Sequence, residues 1–217
     1  YKESGYLPEA FINILALLGW NPGTDQELFT MDELINAFDL DKVGKAGSKF
    51  DPDKAKWFNH QYLMQKPDSE LAEKFMPILE KEGIDTSKDF AEKVCSMVKE
   101  RINFIQDLWD QSWFFFKAPE EYDQKMVKKK WKEHTPHLLS DLKNHLQELE
   151  EFTAENIKEI AKSITEEKEL GMGQIMFPFR LTLVGAGMGP DVAEIAVMIG
   201  KEETMRRIDK AIAAIKK

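Results

Sequence analysis

Proline and glycine stand in this sequence where helices begin and end. Pro8 suits a first helical position, and Gly19 suits the residue just past a last turn. Between them Phe11, Ile12, Leu15 and Leu18 recur at helical spacing. Thr30 with Glu33 spells a capping box, a hydroxyl and a carboxylate satisfying two orphan N–H groups reciprocally. Asp51-Pro52 and Thr135-Pro136 open two more helices, and Phe152-Thr153 with Ile157 fits a hydrophobic staple around an N-cap. No segment alternates apolar and polar residues as a half-buried strand must, and no repeat is visible. The expected fold is all-α, roughly ten helices in at least two packed groups.

Other helices follow from apolar periodicity. One is expected over about 69–79. A long one is expected over about 87–113, carrying Phe90, Val94, Met97, Phe104, Ile105 and Leu108. A basic helix holds Lys125, Lys128, Lys129, Lys130 and Lys132, and the next carries Leu139, Leu142, Leu146 and Leu149 on one side. Residues 44–48 and 185–190 read as loops; Gly171, Gly173 and Gly200 punctuate the remainder. Lys66-Pro67-Asp68 marks a boundary.

Composition excludes several classes. Of 217 residues, 42% are hydrophobic and 32% charged, the profile of a soluble globular chain rather than a disordered one. The longest apolar candidate, residues 11–20, is interrupted by Asn13 and falls short of the roughly 20 residues of a membrane span. No signal peptide precedes it, and Tyr1 already reads as folded-domain sequence, so the chain is taken for a fragment. The single Cys95 cannot form an intrachain disulfide, which fits a reducing, cytoplasmic compartment. A net charge of −9 argues against nucleic acid as a partner, unless positive charge is concentrated locally.

Few constellations carry chemistry. One Cys and four scattered histidines (His60, His134, His137, His145) lack zinc-ligand spacing, so no metal site is expected. Cys95, on the apolar-leaning side of its helix, reads as a buried thiol rather than a nucleophile. The Gly185-Ala186-Gly187-Met188-Gly189-Pro190 loop admits two readings. It is a helix–helix connection with Pro190 in the first turn, or a backbone cradle for an anion or an exposed base, with Arg180 nearby. Lys125 to Lys132 is a solvated face or a phosphate-contacting patch. Trp109, Trp113, Phe114, Phe115 and Phe116 are core or a stacking platform, with core favoured by their place at a helix end.

Longer strings carry a resemblance. Gly5-Tyr6-Leu7-Pro8-Glu9-Ala10-Phe11-Ile12-Asn13-Ile14-Leu15-Ala16-Leu17-Leu18-Gly19-Trp20 closely resembles bacterial-type glutamyl-tRNA synthetases, which are class I aminoacyl-tRNA synthetases. So do Leu28-Phe29-Thr30-Met31-Asp32-Glu33-Leu34-Ile35 and Phe50-Asp51-Pro52-Asp53-Lys54-Ala55-Lys56-Trp57-Phe58-Asn59. Phe177-Pro178-Phe179-Arg180-Leu181-Thr182-Leu183-Val184-Gly185 is similar to the family's Pro-Leu-Arg segment, followed by Gly189-Pro190 and Ile199-Gly200-Lys201-Glu202. It departs from that segment in its two phenylalanines and in Val184, where Thr is common. Between about 67 and 170 the likeness is mainly one of helical layout.

The resemblance implies a division of labour. Residues 1–66 would form a stem-contact region, 67–122 a first helical anticodon-binding subdomain and 123–217 a second. It implies anticodon contacts from Arg180, Gly189 and Pro190, with Lys99 or Arg101 as a further basic contributor. Lys56, Trp57, Asn59 and Tyr62 are expected to face the tRNA stem, and Lys128, Lys129 and Lys130 its phosphates. Neither the family's His-x-Gly-His motif nor its Lys-Met-Ser-Lys-Ser loop is present; Lys45-Ala46-Gly47-Ser48-Lys49 has the wrong spacing. The implied parent attaches glutamate to its tRNA using ATP and Mg. The fragment would need neither, and would bind the glutamate tRNA as a monomer, away from membranes, without charging it. A helical protein–protein interaction module is the alternative. An independent hydrolase has no catalytic constellation to rest on.

Overall fold

The computed structural model describes residues 5–44 and 49–216. Among these, twelve α-helices are joined by turns and short 3₁₀ segments, and the one β feature is an isolated bridge between Trp20 and Val43. The all-α expectation therefore holds. Positions 45–48 of the expected loop, with most of the Lys45 to Lys49 stretch, lie outside the described residues. The chain forms two compact units, Tyr1–Gln111 and Ser112–Lys217.

The first unit contains α1 (Pro8–Gly19), α2 (Met31–Ala37), α3 (Pro52–Gln65), α4 (Asp68–Lys81) and α5 (Lys88–Val98). Local signals place their starts. Pro8 and Pro52 occupy first-turn positions, and Asp51 accepts from the N–H groups of Asp53 and Lys54. Thr30 and Glu33 form the full capping box. Buried amides then hold α1 to α3. Asn13 Oδ1 accepts from the Phe29 N–H and lies 2.7 Å from the Tyr62 hydroxyl, while Asn59 Oδ1 accepts from the Leu7 N–H at 2.7 Å. The α4/α5 hairpin is apolar: Leu71, Ala72, Phe75 and Leu79 meet Ala91, Val94, Cys95 and Val98, all 0% exposed.

The expected long helix over 87–113 is a correction. It stops at Val98, tightens into a 3₁₀ turn over Lys99–Arg101, becomes extended at Ile102 (φ −109°, ψ 143°) and restarts as α6 (Asp107–Ser112). Side chains redirect the backbone groups that helix continuation would use. The Ile102 carbonyl lies 2.7 Å from His60 Nδ1, and the Asn103 carbonyl accepts from Asn59 Nδ2. Asp107 Oδ2 accepts from the N–H groups of Asn103 and Phe104, each at 2.9 Å. Apolar periodicity does not register such competition.

The second unit opens with a 3₁₀ turn, Trp113–Phe115. It continues through α7 (Gln124–Lys130), α8 (Thr135–Glu148), α9 (Ala154–Glu167), α10 (Gly173–Val184), α11 (Val192–Ile199) and α12 (Lys201–Ala214). Helix α10 is central and touches each of the other five. It is apolar on nearly every side, as a buried helix must be, with Ile175, Phe179, Leu181, Leu183 and Val184 at 0% exposure. Arg207, 2% exposed, braces this core. Its Nη1 donates to the carbonyls of Phe114 and Leu183, and its Nε donates to Glu203 at 2.7 Å. The aromatic run thus resolves toward core: Phe114 and Phe115 are buried.

Candidate nucleic-acid interface

Helix α10 escapes burial along one stripe. Gly173, Phe177 and Arg180 are separated by four and three residues, so they share a face. Phe177 stands 42% exposed. Arg180 is half-buried; its Nη1 donates to the Met188 carbonyl at 2.9 Å, which joins the end of the stripe to the 185–190 loop. Gly189 lies at φ +99°, and a Cβ there would come 2.9 Å from Phe114 Cζ, 3.3 Å from Ile195 Cδ1 and 3.5 Å from Arg180 Nη1. Only glycine fits both that backbone and that space.

Helix α7 borders the same stripe. Its Met126 packs at Gly187, where a Cβ would lie 3.1 Å from Met126 Cε, and one turn later Lys130 Nζ sits 4.0 Å from the Phe177 ring centroid. That distance is a close cation–π contact. With Met126 and Lys130 turned inward, Lys125, Lys128 and Lys129 are exposed. The basic helix therefore faces outward beside Arg180, a local positive surface on a chain of net charge −9.

The two readings of the glycine loop separate here. Pro190 is buried and precedes Asp191, the N-cap of α11, so it is not in the first helical turn as expected. The Asp191 carboxylate already accepts from the N–H groups of Ala193 and Glu194. An anion is disfavoured at a helix start that a carboxylate occupies. The loop is a helix connection whose accessible part is 186–189.

In the first unit the expected contacts divide. Lys56 and Trp57 are exposed on α3, at 51% for the Lys56 side chain and 42% for Trp57. Asn59 and Tyr62 are not, which corrects the expectation that they face a ligand. Asn59 is 0% exposed with both ends of its amide engaged, and the Tyr62 hydroxyl lies within hydrogen-bond distance of Asn13 Oδ1 and the Phe29 carbonyl. Lys99 is likewise engaged internally: its ammonium donates to the Lys66 carbonyl and to Asp68 at 3.0 Å. Arg101 is exposed and makes no ion pair among the described residues. Cys95 is inert, its thiol pushed up to about 12, chiefly by burial and further by Asp68 and Glu92. Among the described residues no three His, Cys, Asp or Glu side chains gather as metal ligands do, and no helix is long and apolar enough to cross a membrane.

Comparison with known proteins bears on this geometry. Residues 70–212 match the anticodon binding domain family, and residues 1–57 match the family of class I tRNA synthetase (E and Q) catalytic domains. The chain belongs to the anticodon-binding domain family. It is 54% identical over 215 residues to a glutamate–tRNA ligase of Flavobacterium psychrophilum, covering 99% of this chain and 43% of that protein. It is 50% identical to the glutamate–tRNA ligase of Phocaeicola vulgatus, covering 100% and 43%. A crystal structure of a glutamate tRNA ligase from Elizabethkingia meningosepticum in complex with its amino acid superposes with a TM-score of 0.94, at 46% identity over 100% of this chain and 43% of that one. The glutamate-tRNA synthetase of Elizabethkingia anophelis gives 0.89 at 45% identity, covering 99% and 42%. The chain thus spans a little under half the length of these relatives, and the resemblance noted in the sequence holds over its whole length.

Sequence reasoning named Arg180, Gly189 and the lysines, and the fold brings these together. It missed the partnership of α7 with α10, and so the role of Phe177 as the surface Lys130 packs on. The spacing of Gly173, Phe177 and Arg180 was a usable signal. The pairing of the two helices was not encoded in any local pattern.

Proposed function

We propose that the chain is the tRNA-reading part of a glutamate–tRNA ligase and holds the glutamate tRNA without charging it. One observation carries this: the sole outward stripe of α10 leads through Phe177 to Arg180 and the 186–189 loop, beside the exposed lysines of α7. Anticodon bases are splayed out, so a protein reads their edges and faces directly. Arg180 offers a planar fork or a stacking face to such a base, while Met188 and Gly189 bring backbone close. Pro190 shapes the loop from beneath.

On this reading residues 1–66 contact the stem through Lys56 and Trp57, while 67–122 and 123–217 meet the anticodon arm. The change of family model between residues 57 and 70 supports the first boundary. Of the two basic residues after α5, Arg101 is the one with a side chain at liberty to reach RNA. ATP and Mg serve the catalytic part of the parent ligase. The protein acts as a monomer in the cytoplasm.

Arg180→Ala should weaken tRNA binding by about 1–3 kcal/mol, the range of one base contact. Filter binding checks this, with the glutamate tRNA and a copy altered at each anticodon base. The loss should vanish for the copy whose altered base is the one Arg180 reads. An equal loss for every tRNA would reduce Arg180 to a phosphate contact. A protein-docking module is the second reading, favoured by the exposed Ile35 (67%) and Leu40 (78%). It predicts no preference between matched and unmatched tRNA.

A further inference from the structure

One cavity in the second unit lies at the Gly173 end of the stripe that leads to Arg180. It has a volume of about 340 Å³ and is walled by Lys129, Lys130, Lys132, His134 and Gln174, between the end of α7 and the start of α10. Three lysines thus stand among its lining residues, and none of them forms an ion pair among the described residues. Cations crowded at one cavity repel each other, a cost that an anionic occupant removes. Lys130 is held in place by the Phe177 ring, and Phe177 by Gly173, where a Cβ would lie 3.2 Å from the ring. One cation is thus fixed before any ligand arrives.

The donors here are side chains. The Gln174 N–H already donates to the Gly171 carbonyl at 2.8 Å, so the backbone of this first turn is not what would hold an anion. Lysine gives a point charge that tolerates any oxyanion orientation, unlike the directional fork of arginine. The cavity holds on the order of ten water volumes, room for a partly hydrated tetrahedral anion. Gly173 and Arg180 share a face of α10 about two turns apart, or about 10 Å along the axis. An RNA strand meeting Arg180 therefore passes close to the cavity.

We propose that this cavity seats one backbone phosphate of the bound RNA, fixing the strand's register on α10 while Arg180 reads a base. The inference rests on the RNA-binding reading above and adds Lys132, His134 and Gln174 to it, while leaving Lys128 outside.

The test compares charge removal inside the cavity with equal removal outside it, in the 217-residue chain. Binding of an anticodon-arm hairpin is measured by fluorescence anisotropy from 50 to 300 mM KCl. The double variant Lys129→Gln/Lys132→Gln should lower affinity about tenfold and cut the slope of log K against log salt by roughly 0.7–0.9, the signature of one lost phosphate. Lys125→Gln/Lys128→Gln, which removes two lysines of the same RNA-facing helix outside the cavity, should weaken binding less and leave the phosphate-induced resonance shifts unchanged, and Lys129→Arg/Lys132→Arg should restore binding. Inorganic phosphate alone should shift the amide resonances of residues 129–134 and 171–174.

Equal losses from the inner and outer pairs would overturn the proposal in favour of a diffuse basic face. Phosphate-induced shifts without any RNA defect in the inner pair would also overturn it, leaving a site for a free anion. If Arg180→Ala impairs RNA binding while the inner pair does not, the cavity assignment fails and the RNA-binding reading survives. If the unaltered chain binds no RNA, both fall.

Discussion

Arg180 and Gly189 depend on each other through the loop they share. The arginine is anchored on the Met188 carbonyl, and the next residue must be glycine because its φ is +99° and Phe114 lies against it. Gly189→Ala should therefore cost about 1–3 kcal/mol in chemical denaturation, adding backbone strain to overpacking. It should also weaken RNA binding, although no RNA-contacting side chain is removed. Gly200→Ala is the control: its φ is +88°, but a Cβ there meets nothing within 4 Å. If both variants lose the same stability, packing at Phe114 contributes nothing and the coupling argument is lost.

At the scale of elements, α3 has an exposed side and a buried side with separate duties. The outward face carries Lys56 and Trp57; the inward face carries Asn59 and Tyr62, which bind loops and α1. Asn59→Ala should cost about 1–3 kcal/mol for the buried Leu7 N–H left without a partner, and less for the Asn103 carbonyl, which water can reach. Lys56→Ala should change stability by about 0.5 kcal/mol or less. Urea titrations of the two variants would show the contrast, and comparable losses would mean that the faces are misassigned. The same inward face ends the helix after Val98. Caps at Thr30, Asp51 and Thr153 were legible because cap and recipient lie two or three residues apart. The break at Ile102 was not, because the residues that take its carbonyls lie 42 and 44 positions away.

The whole molecule carries net negative charge, and two ionisable groups, the partly buried Glu203 and the buried Cys95, contribute to its stability at opposite ends of the pH range. Hydrogen bonds from Arg206 and then Arg207, working against burial, hold the Glu203 carboxyl below its ordinary value. A depressed folded value contributes stability above the unfolded value near 4.3, and that stability is lost as pH falls through the folded one. Cys95 acts at the other end. Its folded thiol titrates at about 12, and an unfolded thiol near 8.5, so its contribution is complete below about 8.5 and is lost as pH rises toward 12. Denaturation midpoints from pH 3 to 11 should form a plateau that falls at both ends. Cys95→Ala should lower the plateau while flattening the alkaline fall; an unchanged alkaline slope would assign that limb to other groups.

Sequence alone determined that the chain is helical, where most helices start, which family it resembles, and that Arg180 belongs to its distinctive segment. These follow from proline, caps, apolar period and unbroken strings, all of which act over a few neighbouring residues. Tertiary structure alone decided that the 87–113 stretch breaks, that Asn59, Tyr62 and Lys99 turn inward, and that α7 lies along α10 so that Lys130 covers Phe177. Each depends on which distant group satisfies a buried donor, acceptor or apolar face. That choice is made by the free energy of packing the whole unit, and no local window of sequence contains it.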